Sequence, residues 1–253
     1  MNRPVVLLLL LSAALTLFPL SLHANAPFVT DDADVVGTGQ FEMETWLEYA
    51  LEEGDSLASW NSVFSLGITD WLEGSVGAAL GLHEGSTFTA ENPTFELKSL
   101  LIPYADNRHP GVGLAMGYQP PVLGRGILFS DAHGLYAIAP LTASFWEERL
   151  FVHANLGLIT SIADESQHRV FWGFGLDAAP LHPDYRILAE INTGDDVPAV
   201  GLPYEAMLGF RWIASERIEL DVAARGERHE HDGHTDWDWA AHLGLRVVFD
   251  AFQ

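Results

Sequence analysis

From Trp237 to Asp250 the chain alternates between two kinds of side chain. Trp237, Trp239, Ala241, Leu243, Leu245, Val247 and Phe249 hold the odd positions; Asp238, Ala240, His242, Gly244, Arg246, Val248 and Asp250 hold the even ones. A helix would scatter this pattern around its circumference, whereas a strand sends successive side chains to opposite faces. The segment therefore predicts one long strand. One of its faces is apolar and aromatic at both ends; the other is small, polar or charged. The same alternation returns in Phe41–Glu52, Tyr185–Asn192, Tyr204–Trp212 and Arg217–Arg225.

A soluble β-sandwich with one face in its core also alternates. Three features favour a membrane barrel instead. The segments run about 10–13 residues, where strands of soluble proteins are nearer ~6. The wet face is rich in Gly and Ala. The last strand places aromatics at both ends, as two membrane interfaces require. The fold class expected is all-β, a transmembrane antiparallel up-and-down barrel of about twelve strands. Strand cores are expected at 40–53, 56–68, 72–84, 92–102, 110–119, 134–146, 150–162, 168–178, 184–193, 202–213, 217–227 and 237–250. The sixth is the weakest, because Pro140 removes a ladder hydrogen bond. Links at one end, such as Thr69-Asp70-Trp71 and Ala214-Ser215-Glu216, are short; those at the other are mostly longer, as periplasmic turns and extracellular loops should be. Pro180–Pro183 reads as one of the turns, and 227–236 as the last extracellular loop.

Residues 1–24 read as a secretory signal peptide: Arg3, an apolar run from Val5 to Leu20, then small and polar residues. Cleavage is expected after Ala24, Sec-type, leaving residues 25–39 as a periplasmic or lumen-tucked segment and 40–253 as the barrel. Cysteine is absent, which excludes disulfides and thiol catalysis. The formal charge of −23 argues against nucleic-acid binding, which needs a basic surface. Yet 48% of the residues are hydrophobic, far too many for an acidic disordered chain. Expected partners are outer-membrane lipid, lipopolysaccharide, the barrel assembly machinery and a small solute, all in the bacterial outer membrane.

The stretch Pro27-Phe28-Val29-Thr30-Asp31-Asp32-Ala33, followed by Gly37-Thr38-Gly39-Gln40-Phe41-Glu42, resembles the opening of the MetA-pathway of phenol degradation family. Leu66-Gly67-Ile68-Thr69-Asp70-Trp71-Leu72-Glu73 is similar to a turn of the same family. The resemblance implies an outer-membrane barrel transporter for small, hydrophobic or aromatic compounds. It supplies no catalytic residues. Asp31 and Asp32 match its motif; they can cap a turn before the first strand or tuck the segment into the lumen, and the turn is the expected role.

Parity of the strands nominates the lumen candidates: Glu42, Glu44, Glu48, Arg186, Glu190, Glu205, Arg211, Glu219, Asp221, Arg225 and Arg246. Acids dominate the first strands, and arginines gather among acids in the last four. In a narrow barrel such charges either pair and fill the lumen or form a transverse field for polar solutes. The filling is the expected outcome, with a lateral route left for neutral apolar solutes. No cofactor is expected. His229, His231 and His234 are the candidates for a divalent metal, set against a plain solvated loop. His153 and Asn155 repeat residue types of an outer-membrane phospholipase, but parity turns them to the lumen, away from lipid, so no enzyme is expected. Gly124-Arg125-Gly126 lacks the strand-to-helix setting of a phosphate loop. The reading is thus a passive channel, with a closed structural or metal-binding surface barrel as its rival.

Overall fold

The computed structural model describes residues 26–52, 55–83, 89–120, 133–161, 168–193, 204–231 and 234–250. The leader expected over residues 1–24 and the Gly124-Arg125-Gly126 stretch lie outside them. The described residues form twelve strands: β1 Gln40–Glu52, β2 Asp55–Thr69, β3 Leu72–His83, β4 Thr89–Ile102, β5 Gly111–Gln119, β6 Gly134–Phe145, β7 Leu150–Ser161, β8 Arg169–His182, β9 Tyr185–Asn192, β10 Tyr204–Ser215, β11 Ile218–His231 and β12 His234–Asp250. Each pairs antiparallel with its neighbours in sequence, and β1 pairs with β12 to close the barrel. Closure leaves no open sheet edge, so the strands of the wall satisfy one another's backbone groups.

The barrel is inverted relative to a soluble protein. Its outer face is apolar and exposed: Leu156 and Leu208 are each 64% accessible, Trp239 58% and Leu97 50%. Its inner face buries Glu42, Glu44, Glu73, Lys98, Asp177, Arg186, Glu190, Arg211, Glu219, Asp221 and Arg246. Apolar surface of that extent is stable only against hydrocarbon. Trp237 and Trp239 stack at 6.1 Å on the outer face. A concave groove of about 920 Å³ crosses the same face between Phe64, Val76, Phe95, Met116 and Leu158. Its lining is almost wholly apolar, which suits lipid tails rather than a polar solute.

The strand expected at 134–146 forms despite its proline, and two other elements depart from the sequence expectation. The doubtful β6 runs unbroken through Pro140, which stays paired with Asn155 of β7. On its β5 side the register skips from Val112↔Leu141 to Ala115↔Ile138, and Gly113 makes the room: a Cβ there would lie 2.9 Å from the proline ring. The Pro180–Pro183 turn is largely strand. β8 reaches His182 past an irregularity in its pairing with β9 between Ala178 and His182, so Pro180 sits where no ladder pair forms. The expected loop 227–236 is mostly a hairpin: β11 continues to His231 and β12 begins at His234. Asp-Gly, the dipeptide between them, is favoured in two-residue hairpin links, and the flanking residues alternate.

The β6–β7 turn is unusual in its backbone. Trp146, Glu147 and Glu148 have φ of 58°, 58° and 62° without being glycine. Neighbouring Asp106 holds them, its carboxylate accepting from the Ser144 hydroxyl at 2.7 Å and from the Glu147 N–H at 3.0 Å.

Candidate functional site in the barrel lumen

Residues 26–39 precede β1 and cross the interior close to the short-turn end. The segment has no strand partner, so its backbone groups bond to the inner wall, as burial demands. The N–H groups of Val29 and Thr30 donate to the Glu190 carboxylate at 3.0 and 2.5 Å, and the Thr30 hydroxyl donates to it as well. The Ala33 N–H donates to the Thr142 hydroxyl at 2.9 Å, and the Val36 N–H to Glu73 at 2.7 Å. Asn155 donates to the Asp31 carbonyl at 3.0 Å, and Arg211 to the Ala26 carbonyl. Anchors thus come from β3, β6, β7, β9 and β10. Gly173 faces Thr30, where a Cβ would stand 2.3 Å from the threonine hydroxyl. Only glycine lets the segment lie this close to β8.

Asp31 and Asp32 both pair with Lys98 of β4, at 2.8 and 3.0 Å, deep in the barrel. Asp32 also accepts from the Asp34 N–H at 2.8 Å. The turn expected of these aspartates is therefore only part of their role. The larger part is a buried ion pair that fastens the segment to the wall, the other role the sequence left open, tucking the segment into the lumen.

The eleven lumen candidates from parity all lie on the inner face, but they divide by role. Arg186 pairs with Asp177 of β8; Arg211 reaches Asp177 at 3.6 Å and Asp221 at 2.7 Å. Glu219 lies 3.5 Å from Arg211 and 3.2 Å from Arg246, and Arg246 also holds Glu42. This belt of alternating charges lines the wall from β8 round to β1. A second tier lies toward the other end. Arg225 joins Glu48 at 2.5 Å and Glu205 at 3.3 Å, and Asn192 donates to Glu205 at 3.0 Å. Each charge in these tiers faces an opposite one, which offsets the cost of burial.

Beside the segment is an internal cavity of about 400 Å³. Phe28, Val29 and Asp31 contribute to it from the segment. One side is apolar: Tyr136, Ile138, Ile159 and Phe171. The opposite side is polar: Glu44, Trp46, Glu48, Asn61, Arg225 and His242. Of the eleven candidates, Glu44, Glu48 and Arg225 line this space; Glu42, Arg186, Glu190, Glu205, Arg211, Glu219, Asp221 and Arg246 do not. Trp46 and His242 stack at 5.8 Å, and the His242 Nε2 is buried without a hydrogen-bond partner. Tyr136 lies flat across Gly117 and donates to Glu96 at 2.6 Å. Such a space suits a molecule with an apolar body and a small polar group, because most of a ligand pocket is apolar and a few polar groups orient the guest.

Parity found the charged lining but missed the apolar side. Tyr136 and Ile138 sit on inward positions of β6, where the same rule would have placed them, but an aromatic pointing inward resembles one facing lipid. His153 and Asn155 are buried on the inner face, His153 against the ring of Phe28 at 5.8 Å. Both are taken up in holding the segment. Among the described residues no group of three or more histidines and acids is arranged around a metal position. The side chains of His229, His231 and His234 lie outside those residues.

The profile of the family described as "Uncharacterised conserved protein UCP029691" matches residues 12–242, and the chain belongs to that family. No curated protein matches the chain. Among solved structures it is similar to the KdgM porin in complex with disordered oligogalacturonate, with a TM-score of 0.59 at 8% identity over 82% of this chain and 99% of that one. The COG4313 outer membrane channel from Pseudomonas putida F1 aligns with a TM-score of 0.58 at 12% identity, over 86% of this chain and 98% of that one. The NanC porin gives 0.58 at 9% identity, over 81% and 98%. At such identities the likeness is one of fold.

Proposed function

We propose that this member of the UCP029691 family is an outer-membrane channel that passes small, largely apolar or aromatic molecules without covalent chemistry. The observation that carries the reading is the lumen cavity, about 400 Å³ and divided into an apolar and a polar side, within a barrel whose outer face is fit for lipid. The cavity is near the lower end of the size range of small-molecule pockets, room for one ring system with a polar substituent. Export by the leader at residues 1–24 and assembly in the outer membrane of a bacterium complete the reading. Support comes from the shared fold of three outer-membrane channels and from the opening motif at residues 27–42, with its resemblance to the phenol-degradation family. The KdgM porin structure holds oligogalacturonate, an acidic oligosaccharide. In this chain the cavity lining is richer in acids than in bases, so acidic sugars are the poorer guests.

The test is uptake into vesicles that hold the refolded protein. Benzyl alcohol or a substituted phenol should enter faster than into protein-free vesicles, and galacturonate should not. Tyr136→Ala and Phe171→Ala should change aromatic uptake several-fold. Equal rates with and without protein would sink the reading. A second reading, a closed structural barrel, draws on the anchored segment and the paired charge tiers. It expects silence in both uptake and planar-bilayer conductance from a barrel that keeps its heat-modifiable gel mobility.

A further inference from the structure

The lumen cavity is lined by more negative charge than positive. Asp31, Glu44, Glu48 and Glu96 border it, and Arg225 is the single lysine or arginine among the described residues that do. Arg225 already holds two carboxylates, Glu48 at 2.5 Å and Glu205 at 3.3 Å. Lys98, which holds Asp31, holds Asp32 as well. Glu96 receives the Tyr136 hydroxyl at 2.6 Å, a donor without charge. Carboxylates held out of bulk water cost free energy unless positive charge stands near them. The same space has room for a body as well as a charge. From Glu44 of β1 the register runs through Val63 of β2 and Gly77 of β3 to Thr94 of β4, two residues before Glu96. The inner row of β3 along this stretch is Ser75, Gly77 and Ala79, all small, so the wall is recessed between the two carboxylates. Aromatic side chains line the cavity from four separate elements: Phe28 from the segment, Trp46 from β1, Tyr136 from β6 and Phe171 from β8. Aromatic rings attract cations over their faces, tryptophan most strongly, and the attraction grows where water is excluded.

We propose that this cavity is a binding site for aromatic molecules that carry an ammonium group, with Glu44 and Glu96 taking the charge and Trp46, Tyr136 and Phe171 the ring. The inference rests on the reading of the cavity as the channel's solute site and names the chemical class of the solute. Charge and ring are both needed. A bare inorganic cation has no body to fill a space of about 400 Å³, and it keeps its water in preference to a ring face. A neutral aromatic fills the space but leaves the carboxylates as they were. An anion of the same shape meets carboxylates where water screens them least, and like charges repel more strongly there.

Four probes separate charge from shape: benzyltrimethylammonium, benzyl alcohol, benzenesulfonate and tetramethylammonium. The test is calorimetric titration of the refolded barrel in an uncharged detergent. Benzyltrimethylammonium should bind once per barrel, roughly tenfold more tightly than benzyl alcohol or tetramethylammonium. Benzenesulfonate should give no heat at the same concentrations. Glu96→Gln keeps an acceptor for the Tyr136 hydroxyl and removes the charge; Glu44→Gln removes the other. Each should weaken binding of the aromatic cation several-fold and leave benzyl alcohol unchanged, and the two together should erase the preference. Equal affinity for the cation and the alcohol in the wild type would overturn the proposal, and so would a preference that survives the double variant. Tetramethylammonium bound as tightly as the benzyl cation would overturn it too, since the rings would then contribute nothing. Heat-modifiable mobility shows which variants are folded, and the wild-type comparison decides by itself where one is not. Vesicle uptake of benzyl alcohol tests the channel separately. Cation preference without uptake would support the site and remove the channel; uptake without cation preference would keep the channel and overturn the site.

Discussion

Arg246 and Leu243 sit three residues apart on β12 and face opposite worlds. Arg246 is buried between Glu42 and Glu219, whereas Leu243 is 55% exposed on the outer face. Removing one member of a buried ion network strands the others, so Arg246→Ala should cost about 3–5 kcal/mol. Glu42→Gln added to it should recover part of that loss, since one stranded charge disappears. Leu243→Arg should cost about 2–4 kcal/mol in a bilayer by placing a charge in hydrocarbon. Urea unfolding in lipid vesicles measures all three. A neutral Arg246→Ala would mean that its site is wet and the belt of charges loose. Gly117 poses a different residue-scale question. A Cβ there would stand 1.9 Å from the Tyr136 ring, so Gly117→Ala must drive Tyr136 off Glu96. Overpacking of this kind should cost about 1–3 kcal/mol and alter the cavity's apolar side. Gly117→Ala should therefore change aromatic uptake more than the equally small change Ala115→Gly, provided the cavity is the route.

At the scale of elements, the strained β6–β7 turn is held by the Asp106 carboxylate, with the Asn107 side-chain oxygen accepting from the Trp146 N–H at 3.3 Å. The Asp106 pKa is held below the ordinary carboxylate value, first by the Ser144 hydroxyl and then by the Glu147 and Glu148 N–H groups and the Asn107 side chain. A pKa depressed in the folded state gives stability that is present above the unfolded value and lost as pH falls through the folded one. The unfolded value is about 3.9, so the turn should be insensitive to pH from neutrality down to that point and loosen below it. Hydrogen exchange at the Glu147 and Glu148 amides is the readout. Asp106→Ala should raise exchange at pH 7, and the two proteins should converge in acid. Exchange in the wild type that rises steadily from pH 7 to 5 would refute the assignment. The place of this turn was legible as the gap between the strands expected at 134–146 and 150–162, but its left-handed backbone was not, because the residues are Trp and Glu rather than Gly or Asn and their supports, Asp106 and Asn107, come from a separate turn. The strands were legible for the opposite reason. Lipid outside and charge inside leave a period-two record in nearly every strand, and β12 shows it over its whole length. The β11–β12 hairpin escaped because His, Glu and Asp have low strand propensity; pairing overrides that.

For the whole molecule, the least legible feature is the one that shapes the lumen most. Residues 26–39 have no period, and their anchors lie far along the chain, as between Thr30 and Glu190 or Ala26 and Arg211. Parity says which side chains point inward, but not that a piece of the same chain will meet them. The consequence is measurable. Glu190→Ala leaves the Val29 and Thr30 N–H groups without their acceptor, so the segment should loosen at that point while Lys98 still holds Asp31 and Asp32. Planar-bilayer conductance should rise relative to the wild type. The sign of the current carriers follows from the lining. Asp31, Glu44, Glu48 and Glu96 border the cavity, with Arg225 as their opposite among the named lining charges, and the chain carries a net −23. A pore lined by acids favours cations. Under a potassium chloride gradient the reversal potential of the Glu190→Ala protein should have the sign of potassium selectivity. Glu44→Gln added to it should move that potential toward zero. Chloride selectivity would mean that ions take a path outside this cavity, and an unchanged conductance in Glu190→Ala would mean that the segment does not limit passage at all.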